Sequence, residues 1–309
     1  MKEDLRRRLD KQQYKMGGEH SAVKLCHWMR QSMLKGRRCY KQDFYGISSH
    51  RCLQMTPVVH DCTQECIFCW RIGGFEDEEK KWDEPGPMLD KLIEQQRLLI
   101  TGFNGDPRCD KRMYQEARQP RHVAISLAGE PTLYPFLGEL IEECHKRHLT
   151  TFLVTNGTLP ETLEELDPLP TQLYVTVAAP NKSIYTEVCQ PRIPDGWDRL
   201  MRTLEILPSL GTRKVIRHTL VQGWNMGWEE EYAKLDEAAD PTFIEPKGFV
   251  FVGDSRKRMS IENMPSHESV KEFGQKIADK LGLHVLKEKK DSRVVLVGDE
   301  RSKTELELD

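Results

Sequence analysis

From Met55 onward the chain alternates short apolar, strand-like runs with amphipathic helical stretches, and this alternation narrows the fold more than any other feature. The runs are Met55–Val59, His122–Leu127, Thr151–Thr155, Gln172–Ala178, Val215–Val221 and Thr242–Glu245. Helical periodicity follows near Met88–Thr101, Tyr134–Arg147, Pro160–Leu166, Trp197–Leu207, Trp228–Ala238 and Ser266–Leu281. Six β-then-α units imply a parallel sheet with right-handed crossovers. Six is short of the eight that close a barrel, so the expectation is an α/β fold, a partial, open (βα)6 TIM-like barrel. In such sheets chemistry sits on the loops at the C-terminal ends of the strands.

The flanks of that unit differ from it. Residues 1–54 are expected to form a basic N-terminal extension, 55–282 the barrel, and 283–309 terminal strands and a tail. Within the extension, Ser21 to Leu34 reads as a helix capped by Ser21 and stopped by Gly36. At the other end, His284–Leu286 and Arg293–Val297 read as a small hairpin.

Charge marks the same boundary. The first 51 residues carry 13 Lys and Arg against 5 Asp and Glu, leaving 33 against 44 in the remainder and a net charge of −3. A basic arm on an acidic body suits a polyanion such as RNA, although a solvated leader has the same composition. No apolar run reaches the roughly 20 residues of a membrane span. The charged N-terminus lacks the apolar stretch of a secretory signal. A cytoplasmic protein with no membrane partner is expected, acting as a monomer. Its nine cysteines then point to metal binding rather than to disulfides.

The first strand runs into His60-Asp61-Cys62-Thr63-Gln64-Glu65-Cys66-Ile67-Phe68-Cys69-Trp70, a C-x3-C-x2-C loop. Zinc favours four ligands in two C-x2-C pairs, and this loop offers an odd three. Three thiolates can hold three irons of a 4Fe–4S cluster and leave the fourth open. That vacancy suits the amino and carboxylate groups of S-adenosylmethionine (SAM), whose reductive cleavage releases a 5′-deoxyadenosyl radical. Gly129-Glu130-Pro131 follows the second strand, where the glutamate could receive the methionine ammonium. Asn156-Gly157 follows the third and suits polar contact with the cofactor. Both are also ordinary turn sequences.

Cys26, Cys39 and Cys52 lie upstream at equal intervals of 13 residues, and the spacing alone does not say whether they act together. They could converge if the N-terminal segment folded across the barrel mouth. Cys109, Cys144 and Cys189 read as small buried hydrophobes. Lys41 is open to two readings, a carbonyl-reactive amine with a depressed pKa or a surface lysine.

The stretch Cys39–Cys69 (CYKQDFYGISSHRCLQMTPVVHDCTQECIFCWR) resembles the archaeal-type tRNA 4-demethylwyosine synthases, radical SAM enzymes of wybutosine biosynthesis. The blocks Leu127–Tyr134, Phe152–Gly157, Gln172–Val177, Thr219–Asn225, Phe243–Gly248 and Asn263–Glu268 agree, so the resemblance spans essentially the whole chain. It implies tRNAPhe bearing N1-methylguanosine and pyruvate as substrates, 4-demethylwyosine as product, and two 4Fe–4S clusters with SAM as cofactors. By the same resemblance Cys26, Cys39 and Cys52 hold the auxiliary cluster, and Lys41 forms a Schiff base with pyruvate. A flavodoxin-like segment is not apparent, so an external flavodoxin- or ferredoxin-like electron donor is expected. The alternatives are another radical SAM enzyme with an auxiliary cluster, or a non-catalytic iron–sulfur RNA-binding protein.

Overall fold

A computed structural model of the chain describes residues 3–72 and 81–307. Its ten strands form one sheet: β1 (Tyr14–Met16), β2 (Ala22–Lys24), β3 (Cys52–Thr56), β4 (His122–Ile125), β5 (Thr150–Thr155), β6 (Gln172–Thr176), β7 (Arg213–Leu220), β8 (Phe243–Gly248), β9 (His284–Lys289) and β10 (Val294–Gly298). The order is β1-β2-β3-β4-β5-β6-β7-β8-β10-β9. Strands β3 to β8 are parallel, and antiparallel hairpins extend both edges. The sheet therefore curls without closing, the open (βα)6 arrangement that the alternation implies. Among the described residues no helix is long and apolar enough to cross a membrane.

Strand alternation divides the interior in two. Leu53, Val123, Leu153, Leu173, Ile216 and Ile244 point outward and are sealed beneath the surrounding helices in the main core. Phe152, Tyr174, Val215 and Phe243 point to the concave face. There they meet Tyr40, Phe44, Tyr45 and Ile47, carried on and just after the short helix Tyr40–Tyr45. The N-terminal extension thus plugs the lumen instead of lying over its mouth. Higher on the concave face Gln54, Ala124, Ser126, Val154, Thr176 and Arg217 remain half-buried, so the lumen keeps an open upper half.

The expected helix from Ser21 to Leu34 needs correction. Residues 22–24 form β2, and the helix runs His27–Lys35 with Cys26 at its N-cap and Gly36 closing it in the left-handed region. Ala22 and Val23 satisfy the helical pattern, but pairing them with Thr56 and Met55 covers an exposed sheet edge. Ser21 hydrogen-bonds to Asp83 through both its amide and its hydroxyl instead of capping a helix.

His122, 2 % exposed at the start of β4, stitches the extension to the sheet. Its Nε2 accepts from the Ser48 amide at 3.1 Å, so the proton sits on Nδ1 and is donated to Thr150 Oγ1 at 2.7 Å. Charging the ring would set two donors against each other. Burial, with Arg121 and Arg51 nearby, pulls its pKa down to about 3. The unfolded chain binds this proton near pH 6.5 and the native chain does not, so stability falls as pH drops below about 6.5. The loss reaches about 2 kcal/mol at pH 5. Urea unfolding from pH 7.5 to 5 should show this decline, and His122→Asn should flatten it while lowering stability at pH 7.5.

Candidate functional site

Two sets of thiols lie at opposite ends of β3, and all nine cysteines are free. Cys62, Cys66 and Cys69 lie on the loop beyond its C-terminal end. Burial and the charge of Glu130 and Cys66 push the Cys62 thiol up. Burial and Cys66 raise that of Cys69. Cys66 is raised first by contact with the Cys189 thiol and then by burial. Thiols held this high are protonated at neutral pH, and bound iron is what would draw the protons off. Among the described residues no three Cys, His, Asp or Glu side chains approach closely enough to hold a single metal ion. Three thiols in a C-x3-C-x2-C loop suit a multi-iron cluster better than a four-ligand zinc site.

The loop carrying them is clamped from several sides. Arg258 donates from Nη2 to the Cys69 carbonyl at 2.5 Å and from Nε to that of Ile67 at 3.2 Å. Arg192 reaches the Cys62 carbonyl and the Asp61 carboxylate. Asn156 donates from Nδ2 to Thr63 Oγ1 at 2.8 Å and lies 3.6 Å from Cys62 Sγ. Gly129 comes so close that a β-carbon there would sit 1.8 Å from the Val58 carbonyl oxygen, and its φ of +65° favours glycine in any case.

Glu130, 2 % exposed, spends its carboxylate on the protein itself. Oε1 accepts from the Thr132 amide and hydroxyl and from Thr155 Oγ1, and Oε2 accepts from the Asn156 amide. Burial raises its pKa against these four donors. Glu130 therefore braces the Pro131–Leu133 turn against the Thr155-Asn156-Gly157 loop. Gly157, at φ +73°, completes that loop with its amide on Thr155 Oγ1.

Cys26, Cys39 and Cys52 gather at the other end of the strand. Cys26 caps the His27–Lys35 helix, Cys39 caps the Tyr40–Tyr45 helix, and Cys52 opens β3. Burial and the charge of Cys26 push Cys39 up to about 12, and burial with Cys26 and Cys39 raises Cys52 further. On the order of 13 Å of extended strand separates Cys52 from Thr56, where the loop to Cys62 begins. The trio converges, but beside the lumen floor and not across the mouth. Arg71 lies between the two sets; it is 8 % exposed, bonds to the Tyr14 hydroxyl at 3.1 Å, and its charge is felt by both Cys69 and Cys26.

Lys41 projects into the lumen near Cys39 and Cys52. Its Nζ rests 4.0 Å from the centre of the Tyr174 ring and 4.5 Å from that of Phe152, with no hydrogen bond among the described residues. Burial and the Arg217 guanidinium lower its pKa to about 8. Lys247 is lowered to about 8 for the same reasons, and its Nζ bonds to the Ser292 carbonyl.

Glu245, fully buried, could neutralise Lys41 but is already engaged. It accepts from Tyr45 at 2.5 Å, Tyr40 at 3.1 Å and Arg217 at 2.8 and 3.2 Å. Burial alone would raise its carboxyl, yet Arg217, Lys41 and the Tyr45 hydroxyl outweigh that and hold it below the usual range. Sequence reasoning missed this network and Arg71. The available signal was charged residues sharing the concave face of two neighbouring strands, Arg213 and Arg217 on one and Glu245 and Lys247 on the other.

Comparison with known proteins extends this geometry. Residues 56–235 match the family model described as the Radical SAM superfamily, and residues 238–299 that described as Wyosine base formation. A tRNA 4-demethylwyosine synthase of Pyrococcus abyssi is 52% identical over 304 residues, covering 96% of this chain and 89% of that protein. Its counterpart in Pyrococcus horikoshii is 53% identical over 294 residues, covering 93% and 86%. A solved structure of TYW1 with a lysine–pyruvate adduct bound is 38% identical and superposes with a TM-score of 0.90, covering 99% of this chain and 98% of that one.

Gly129→Ala should force the two loops apart. A loss of about 3 kcal/mol or more is expected in urea unfolding of the apo-protein, because backbone must move. Iron bound per chain after anaerobic reconstitution should fall with it.

Proposed function

The chain belongs to the radical SAM superfamily and, within it, to the SAM-dependent tRNA 4-demethylwyosine synthases, and on that premise we propose how its residues divide the work. Cys62, Cys66 and Cys69 hold the 4Fe–4S cluster that binds SAM. Gly129, Glu130, Pro131, Asn156 and Gly157 shape the wall against which SAM lies, Glu130 acting through the backbone it fixes. Cys26, Cys39 and Cys52 hold a second 4Fe–4S cluster. Lys41 forms a Schiff base with pyruvate, which then combines with N1-methylguanosine of tRNAPhe. When bound, the SAM cluster and SAM supply a 5′-deoxyadenosyl radical.

The observation that carries the Lys41 role is its surroundings. An amine must be neutral to attack a ketone, and burial with Arg217 lowers its pKa to about 8. Two aromatic faces hold the side chain without consuming its lone pair, and Glu245 is occupied elsewhere. Attack of Nζ on the keto carbon, with loss of water, gives an iminium that fixes the small acid in the lumen. Arg217 offers positive charge for its carboxylate. The lysine–pyruvate adduct of the related TYW1 structure supports the same chemistry. The modified base must leave the anticodon stack to enter the lumen, as RNA-modifying enzymes generally require.

Cyanoborohydride treatment of the protein with pyruvate should leave a reduced adduct on Lys41, located by peptide mass spectrometry. Lys41→Ala should lose both the adduct and tricyclic base formation while still cleaving SAM reductively. A Lys41→Ala variant with wild-type product would overturn the role. Replacing Cys26, Cys39 and Cys52 together by Ala should lower iron from about eight to about four per chain and leave SAM cleavage intact. An unchanged iron content would remove the second cluster.

A further inference from the structure

Cys189, buried at 3 % exposure at the end of the Lys182–Cys189 helix, stands directly opposite Cys66. The backbones of 64–67 and 188–191 pair antiparallel: the Glu65 amide donates to the Gln190 carbonyl and the Ile67 amide to the Val188 carbonyl, both at 3.0 Å. Gln64 and Pro191 form the adjoining bridge. Cys66 and Cys189 lie between these two hydrogen bonds, Cys189 at the last turn of its helix, so the two side chains are brought together. Their thiols are in contact.

The surroundings favour a donor role for Cys189. As a cluster ligand Cys66 would be a thiolate, able only to accept. The Gln64 side chain presents Oε1 to Cys66 Sγ at 3.2 Å while its Nε2 is engaged by the Tyr185 hydroxyl at 2.8 Å. That leaves Cys189 as the facing side chain able to donate to that sulfur. The nearby Tyr232 hydroxyl is buried, has no hydrogen-bond partner among the described residues, and feels the charge of Cys189.

We propose that Cys189 is a positioning residue for the SAM cluster, its thiol donating a hydrogen bond to the Cys66 thiolate and thereby making the cluster easier to reduce. A donor to a ligand sulfur stabilises the reduced form, which carries one more negative charge. The electron comes from the external reductant. The proposal rests on the assignment of Cys62, Cys66 and Cys69 as cluster ligands.

Redox titration of the reconstituted full chain, followed through the SAM-responsive electron paramagnetic resonance signal, tests it. Cys189→Ala removes the donor and Cys189→Ser keeps one at similar size. At the wild-type midpoint poise, the ratio of reduced to oxidised cluster should fall about fivefold in Cys189→Ala, the scale of one hydrogen bond, and stay within about twofold in Cys189→Ser. Equal behaviour of the two variants, shifted or not, would overturn the donor role. If Cys189→Ala fails to hold iron, the isosteric pair Cys189→Val and Cys189→Thr repeats the comparison with the same criterion. A wild-type protein without any SAM-responsive cluster signal would instead sink the ligand assignment on which the proposal rests.

Discussion

A buried carboxylate holds the working end of the sheet together. Glu130 takes four hydrogen bonds from two loops that follow different strands. Through Asn156 it reaches Thr63 and Cys62, and its own amide bonds to the Asp61 carbonyl at 2.8 Å. Three loops are thereby locked in one arrangement before any cofactor arrives. Charge-assisted bonds at such depth are strong when every partner is in place, and removing one leaves a buried charge uncompensated. A cysteine loop of eight residues has little secondary structure of its own to set its shape, so it borrows that shape from its backbone bonds to residues 188–191, from this carboxylate, from Gly129 and from the Arg258 and Arg192 clamps.

The lumen solves a second problem. The role proposed for Lys41 requires a lysine buried enough to lose part of its proton affinity and yet not hydrogen-bonded to an acid. The structure meets this by surrounding Glu245 with Tyr40, Tyr45 and Arg217, and by laying Lys41 across Tyr174 and Phe152. Tyr40 and Lys41 are neighbours on one short helix, so the residue that helps occupy the acid and the residue that stays free are positioned together. The same helix begins at Cys39, which couples the lysine to the second thiol set.

The alternation of strands and helices made the six-stranded core legible, because periods of 2 and 3.6 are set by side-chain burial. The cysteine loop was legible because its chemistry depends on spacing within one segment. What escaped depends on contacts between distant segments. Ala22 and Val23 joined the sheet edge because an unpaired strand edge outweighs a helical pattern over three residues. Cys189 read as a small buried hydrophobe, which its burial fits; its place opposite Cys66 follows from a register between segments about 120 residues apart. Arg217 and Glu245 carry no local signature either, because their network is completed by Tyr40, which bonds to both from a segment about 180 or more residues upstream.

The central claim is that one lumen serves both the radical generator at the strand ends and the pyruvate-bearing lysine below it. The direct measurement is mass spectrometry of nucleosides from tRNAPhe bearing N1-methylguanosine, after anaerobic incubation with the reconstituted protein, dithionite, SAM and uniformly carbon-13-labelled pyruvate. The account predicts a tricyclic nucleoside that has gained two labelled carbons, the carboxyl carbon having been lost. Formation of 5′-deoxyadenosine with no label entering the tRNA would contradict it.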